Sequence, residues 1–209
     1  VLNDFNIDSR NLNSNNALEY YHHLDHYITT LKSQRKLAQN YQAKFTSTFI
    51  PPNGDYQNFG IMAAIDHINA LKDLVKCFPK FADLPKIYGG GSYGGYLSLL
   101  IAKIAPWYVD GVIDNSGSAL PPLNYILGRE MESGCDYVLN SSHILIQCFL
   151  KTHWTRKENS PYFFNNENYF IRTLLNKDHL ILQSQKNKNI IYVSYHSDKD
   201  PLTPANFKQ

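Results

Sequence analysis

The sequence predicts an α/β fold, a doubly wound and mostly parallel sheet with helices on both faces. Three observations carry that expectation. Lys86-Ile87-Tyr88 is a short β-prone run that enters a glycine cluster and leaves into the apolar, helix-prone Tyr96-Leu97-Ser98-Leu99-Leu100-Ile101-Ala102. Tyr108-Val109-Asp110-Gly111-Val112-Ile113-Asp114 then reads as a buried strand closed by Asn115-Ser116-Gly117, which completes a βαβ unit. Asn189-Ile190-Ile191-Tyr192-Val193-Ser194-Tyr195 is the clearest strand of all.

The other elements follow in order. Leu18, Tyr21, Leu24, Ile28 and Leu31 recur at three- and four-residue spacing and predict an amphipathic helix within Asn16 to Ala43. After the Pro51-Pro52-Asn53-Gly54-Asp55 turn, Phe59, Met62, Ala63, Ile65, Ile68, Leu71 and Val75 outline a second helix. From Ser118 to Lys188 the pattern is irregular, with Pro121-Pro122, the cluster Tyr162-Phe163-Phe164 and a helical piece at Tyr169 to Leu175. It reads as a partly helical cap inserted between sheet strands, a common place for specificity to be set. The whole chain is expected to form one partial domain, incomplete at both ends. It begins at Val1, and no strong strand candidate precedes Lys86, whereas a parallel sheet of this kind needs strands ahead of that point. On that expectation the chain alone is marginally stable and catalytically silent.

Composition narrows the function classes. With 209 residues, 43% hydrophobic and 13% aromatic, the chain can bury a sizeable core. A net charge of +2, without a basic run, gives no reason to expect nucleic acid. The first residues carry no secretory pattern and no apolar stretch is long enough for a membrane span, so a cytoplasmic protein is expected. Cys77, Cys135 and Cys148 are odd in number and widely spaced, which fits reduced, buried thiols better than disulfides or zinc ligands.

Chemistry is concentrated in Gly89-Gly90-Gly91-Ser92-Tyr93-Gly94-Gly95. Gly90-x-Ser92-x-Gly94 fits the nucleophile elbow of α/β-hydrolases, where glycines let strand and helix approach and Ser92 stands proud of the sheet. The Tyr93 N–H, at the start of the helix, is then one donor of an oxyanion hole, and Gly90, Gly94 and Gly95 are the elbow glycines. Gly89-x-Gly91-x-x-Gly94 with Asp114 downstream also matches a dinucleotide fingerprint, but that motif normally opens its domain on the first strand, so the elbow is preferred. The loop after the last strand, His196-Ser197-Asp198-Lys199-Asp200, lies where a triad acid belongs. Glu19, His22 and His26, with His23 and Asp25 nearby, share a helix face that could bind a metal, but a solvated polar face explains them better. No cofactor and no metal are therefore assigned.

The segments Tyr56 to Met62, Gly90 to Tyr96, Ala102 to Trp107, Asp110 to Ser116, Lys151 to Thr155 and Tyr195 to Ser197 together resemble a bacterial domain-of-unknown-function family of α/β-hydrolase-like proteins found near flagellin-modification genes. The resemblance implies a hydrolase-like fold and active-site layout without a known substrate. It implies Ser92 as nucleophile and Asp200 as acid, because Asp200-Pro201-Leu202-Thr203-Pro204 matches the pattern Asp-x-x-(Val/Thr)-Pro, with Asp198 and Asp114 as alternatives. No histidine follows Asp200, so the expected general base lies beyond Gln209. His196 is expected to hydrogen-bond the loop backbone, and His153 and His179 belong to the cap. The expected activity is hydrolysis of a small ester or acylated compound. The alternative is a non-catalytic accessory or binding protein, with a dinucleotide-dependent oxidoreductase behind it.

Overall fold

The computed structural model describes residues 2–51, 53, 58–131, 134–200, 203 and 208. Contacts gather the chain into two compact units, Val1–Asp55 with Gly128–Lys151 and Tyr56–Leu127 with Thr152–Gln209.

In the first unit, helix α1 (Ala17–Ser33) turns Leu24, Ile28 and Lys32 inward at four-residue intervals. Leu24 and Ile28 pack with Ile7, Ala43 and Ile144. The expected helix to Ala43 therefore ends ten residues early, and Ala43 instead opens strand β1 (Ala43–Phe49). This strand pairs in parallel with β5 (Ile144–Leu150), which pairs antiparallel with β4 (Tyr137–Asn140), in the order β1-β5-β4. Two strands thus stand inside the stretch expected to be a partly helical cap. The run Ile144-Leu145-Ile146 is the signature of a central strand bonded on both sides.

The second unit holds β2 (Ile87–Gly91), β3 (Gly111–Asn115) and β6 (Ile191–Tyr195), all parallel in the order β2-β3-β6. Between the strands run α3 (Tyr93–Ile104), α4 (Leu123–Leu127), α5 (Asn166–Arg172) and α6 (Lys177–Lys186), with α2 (Ile61–Cys77) ahead of them. Proline punctuates the helices: α2 ends just before Phe78-Pro79 and α3 just before Ala105-Pro106, because the residue before proline is driven out of the α region. Asn165 and Asn176 cap α5 and α6 through their side chains. Leu100, Ile101 and Tyr96 of α3 pack with Ala64 and Ile68 of α2 and with Val112 of β3, so α3 lies between sheet and helix and is apolar nearly all round.

Helices on both sheet faces are not what the second unit shows. Its helices cover the Val112 and Asp114 face, while Ile87, Ile113, Ile191 and Val193 line an open cleft of about 620 Å³. A short parallel ladder alternates its side chains between faces, and among the described residues only one face is covered.

Lys103, at the end of α3, is 7% exposed and donates to the carbonyls of Phe170 and Thr173, each at 2.6 Å, so that it binds the free carbonyl end of α5. Burial pulls its ammonium down to about 8. An unfolded lysine keeps its proton to about pH 10.4. Between these values the folded chain has shed a proton that the unfolded chain still holds, so stability rises with pH. Urea unfolding is expected to show about 2 kcal/mol more stability at about pH 9.5 than at about pH 7.5, a gain absent from Lys103→Met. Equal slopes in the two proteins would refute the assignment.

Candidate functional site at the carboxyl end of the parallel sheet

Gly91, Asn115 and Tyr195 stand in register at the ends of β2, β3 and β6, so Ser92, Ser116 and His196 follow one another along one sheet edge. The carboxyl edge of a parallel sheet is where such folds place ligands. Ser92 joins β2 to α3 with φ 52° and ψ −116°, outside the regions open to ordinary L-residues, at a cost of about 1–3 kcal/mol. Its N–H donates to Asn115 O at 2.7 Å, and its carbonyl accepts from Tyr96 N at 3.1 Å. The backbone is therefore pinned on both sides.

The Ser92 side chain behaves differently. A serine at a helix N-cap usually accepts from an N–H of the first turn. Ser92 makes no such bond, is exposed, and its hydroxyl has no hydrogen bond among the described residues. The N–H groups of Tyr93, Gly94 and Gly95 open α3 without intrahelical acceptors, beside the positive end of its dipole.

The glycines divide unequally. A Cβ on Gly90 would lie 2.5 Å from the backbone carbon of Gly94, and one on Gly95 would lie 2.5 Å from Asp114 Oδ1 and 3.0 Å from Gly117. A Cβ on Gly94 would meet nothing within 4 Å. The expectation that Gly94 is needed for close approach is therefore corrected: Gly90 and Gly95 carry that role.

Asp114 is 1% exposed. Its Oδ1 accepts from Gly117 N at 2.8 Å, and its Oδ2 accepts from Ser194 Oγ at 2.7 Å and from Lys208 Nζ. His196 Nε2 lies 3.3 Å from the same oxygen and 3.0 Å from Lys208 Nζ. Burial is the strongest single influence on the carboxyl and pushes it up, but the bonds from Lys208, Ser194 and Gly117 with the lysine charge outweigh it and hold the group below the usual carboxylate range. Asp114 Oδ2 thus already has three partners, which weighs against the ribose-binding role that the dinucleotide alternative gives it.

His196 thus binds a buried carboxylate rather than the loop backbone. Its side chain is 8% exposed, and its Nδ1 is buried without a partner among the described residues. Asp200 accepts from Thr203 Oγ1 at 2.7 Å and from Thr203 N at 3.2 Å, the bonding of a local turn. Asp198 is exposed in the same loop. Pro201, Leu202 and Pro204, which complete the expected acid motif, lie outside the described residues. His179 in α6 meets the carbonyl of Lys103 at 3.0 Å, and the His153 ring lies 6.2 Å from that of Tyr162.

A family model described as "Protein of unknown function (DUF2920)" matches residues 1–209. The chain belongs to the DUF2920 family. No curated protein and no solved structure matches it.

Elsewhere in this DUF2920 chain, Glu19, His22 and His26 of α1 are not gathered into a cluster: among the described residues no group of three or more His, Cys, Asp or Glu is placed to hold a metal ion. Cys148 is buried, as expected of the thiols, but Cys77 is exposed and Cys135 half-buried. Among the described residues, no helix is long and apolar enough to cross a membrane. Sequence reasoning passed over Ser194 and Lys208. Ser194 had a signal, since it shares a strand face with Tyr192, whereas nothing local ties Lys208 to Asp114, 94 residues away.

Proposed function

We propose that this DUF2920 protein is a serine hydrolase of the esterase type, with Ser92 as nucleophile and Tyr93 N–H as one donor to the oxyanion. The observation that carries the reading is the backbone of Ser92. The residue is held at φ 52° between strand and helix, yet its hydroxyl is exposed and does not cap the helix it precedes. Strain of this kind persists where the surrounding structure enforces it, and here its effect is to present a hydroxyl beside unpaired helix N–H groups. In acyl transfer Ser92 Oγ attacks the ester carbonyl as its proton passes to a base, and the negative charge gathers on the carbonyl oxygen. The bond to the alcohol oxygen breaks as that oxygen takes the proton, and water then cleaves the acyl-enzyme to release the acid and restore Ser92.

Asp114 with His196 is the acid–imidazole pair of this reading, ahead of Asp200, because His196 Nε2 lies 3.3 Å from Asp114 Oδ2. In this reading His196 would receive the Ser92 proton at Nδ1, which is buried and has no partner among the described residues. A small ester suits this chemistry, with acyl or O-acetyl groups on modified sugars as the substrate class of the reading.

A fluorophosphonate probe should label the protein at Ser92, mapped by peptide mass, and Ser92→Ala should abolish the label. A folded protein that does not label at Ser92 would refute the hydrolase and leave the non-catalytic accessory role in its place.

A further inference from the structure

A second cavity, of about 420 Å³, opens in the second unit between α3, α6 and the covered face of the sheet. Its walls are of two kinds. Leu99, Leu174, Leu175, Leu180 and Ile190 supply an apolar surface, while Lys103, Lys188 and Lys208 bring three cations to the same space. Asp114 is the one carboxylate among the lining residues, and Lys208 already engages it.

The cation excess is not an accident of a wet surface. Lys103 is buried and binds two carbonyls but no carboxylate among the described residues. An ammonium has three N–H donors, so one remains after those two bonds. Buried cations are ordinarily paired with an anion, and among the described residues this one is compensated by the ends of peptide dipoles alone. Leu180 meanwhile remains 45% exposed although it lies on the wall of a cavity. Apolar walls with a few convergent polar groups, at this volume, are the usual make-up of a small-molecule site.

We propose that this cavity binds a medium-chain carboxylate, its head group among Lys103, Lys188 and Lys208 and its hydrocarbon chain along Leu99, Leu174, Leu175, Leu180 and Ile190. The chain chemistry follows from the leucine wall, because an apolar tail gains stability from every methylene withdrawn from water. The head-group chemistry follows from three lysines set against one committed acid. The cavity borders the Asp114–His196 pair through Asp114 and Lys208, but the carboxylate binding does not depend on the Ser92 chemistry.

Octanoate and octan-1-ol, which share a chain and differ in charge, are the probes for calorimetric titration of the protein. Octanoate is expected to bind saturably at one site, at least about ten-fold more tightly than the alcohol, the size of one charge-assisted hydrogen bond. Lys188→Glu, at an exposed position with no fold at stake, should weaken octanoate about ten-fold and leave octan-1-ol unchanged. Leu180→Trp should block both ligands by filling the cavity. Absence of saturable octanoate binding, equal affinity for the two probes, or indifference of octanoate to Lys188→Glu would each overturn the proposal.

Discussion

Gly90→Ala is expected to destabilise the protein by about 3 kcal/mol or more, while Gly94→Ala, in the same motif, leaves it unchanged or up to about 1 kcal/mol more stable. The contrast rests on what each new methyl would meet. At Gly90 it would sit 2.5, 2.7 and 2.8 Å from the carbon, oxygen and Cα of Gly94, all backbone atoms that cannot rotate aside. Relief requires α3 to withdraw from β2, and that movement disturbs the Ser92 bonds to Asn115 and Tyr96 as well as the packing of Tyr96 and Leu100. At Gly94 the methyl enters open space within a helix, where alanine is the better residue. Chemical denaturation of the two variants and the parent checks the pair. Equal effects would show that the strand and helix are not in the close approach described.

Asp114→Ala should cost about 3 kcal/mol at neutral pH, because it removes one partner of a buried charged group and strands the other. Lys208, 15% exposed, would lose its carboxylate, and Ser194 Oγ and Gly117 N would lose an acceptor. The pH dependence distinguishes this from simple loss of volume. The folded carboxyl is held below its ordinary value, so its contribution is complete above the unfolded value of about 3.9 and is lost as pH falls through the folded one. The gap between parent and Asp114→Ala, read by urea unfolding, should therefore narrow from about pH 7 to about pH 3. Asp114→Asn, which keeps the shape and an acceptor for Gly117 but not the charge, should fall between the two. A gap that stays constant with pH would refute the charged cluster.

How much could be read from the sequence depends on the range over which each feature is decided. The junction at Ser92 was legible because its causes lie within a few residues: a β-prone run, a glycine cluster and an apolar helix that stops at Pro106. The strands at Tyr88, Ile113 and Tyr192 were legible for the same reason, and they are parallel neighbours. β1 was hidden by its Lys44, Thr46, Ser47 and Thr48, a polar pattern that sits equally well in a loop until its partner β5 is known. β5 itself had an apolar run, but its flanks are irregular and a run of that length does not tell strand from buried helix.

The site divides along the same line. The sequence by itself determined Ser92, the opening N–H groups of α3 and the glycine at position 90, since backbone conformation at a turn answers to adjacent residues. Only the tertiary structure decided the fate of the acids. Asp114, Asp198 and Asp200 are equivalent as letters at strand ends, yet one is buried against Lys208, Ser194 and His196, one is exposed, and one closes a turn with Thr203. Apart from the nearby Gly117 N–H, the partners of Asp114 come from 80 to 94 residues away. The ionisation of a carboxyl follows from the groups and the burial that folding brings around it, and no local pattern records those.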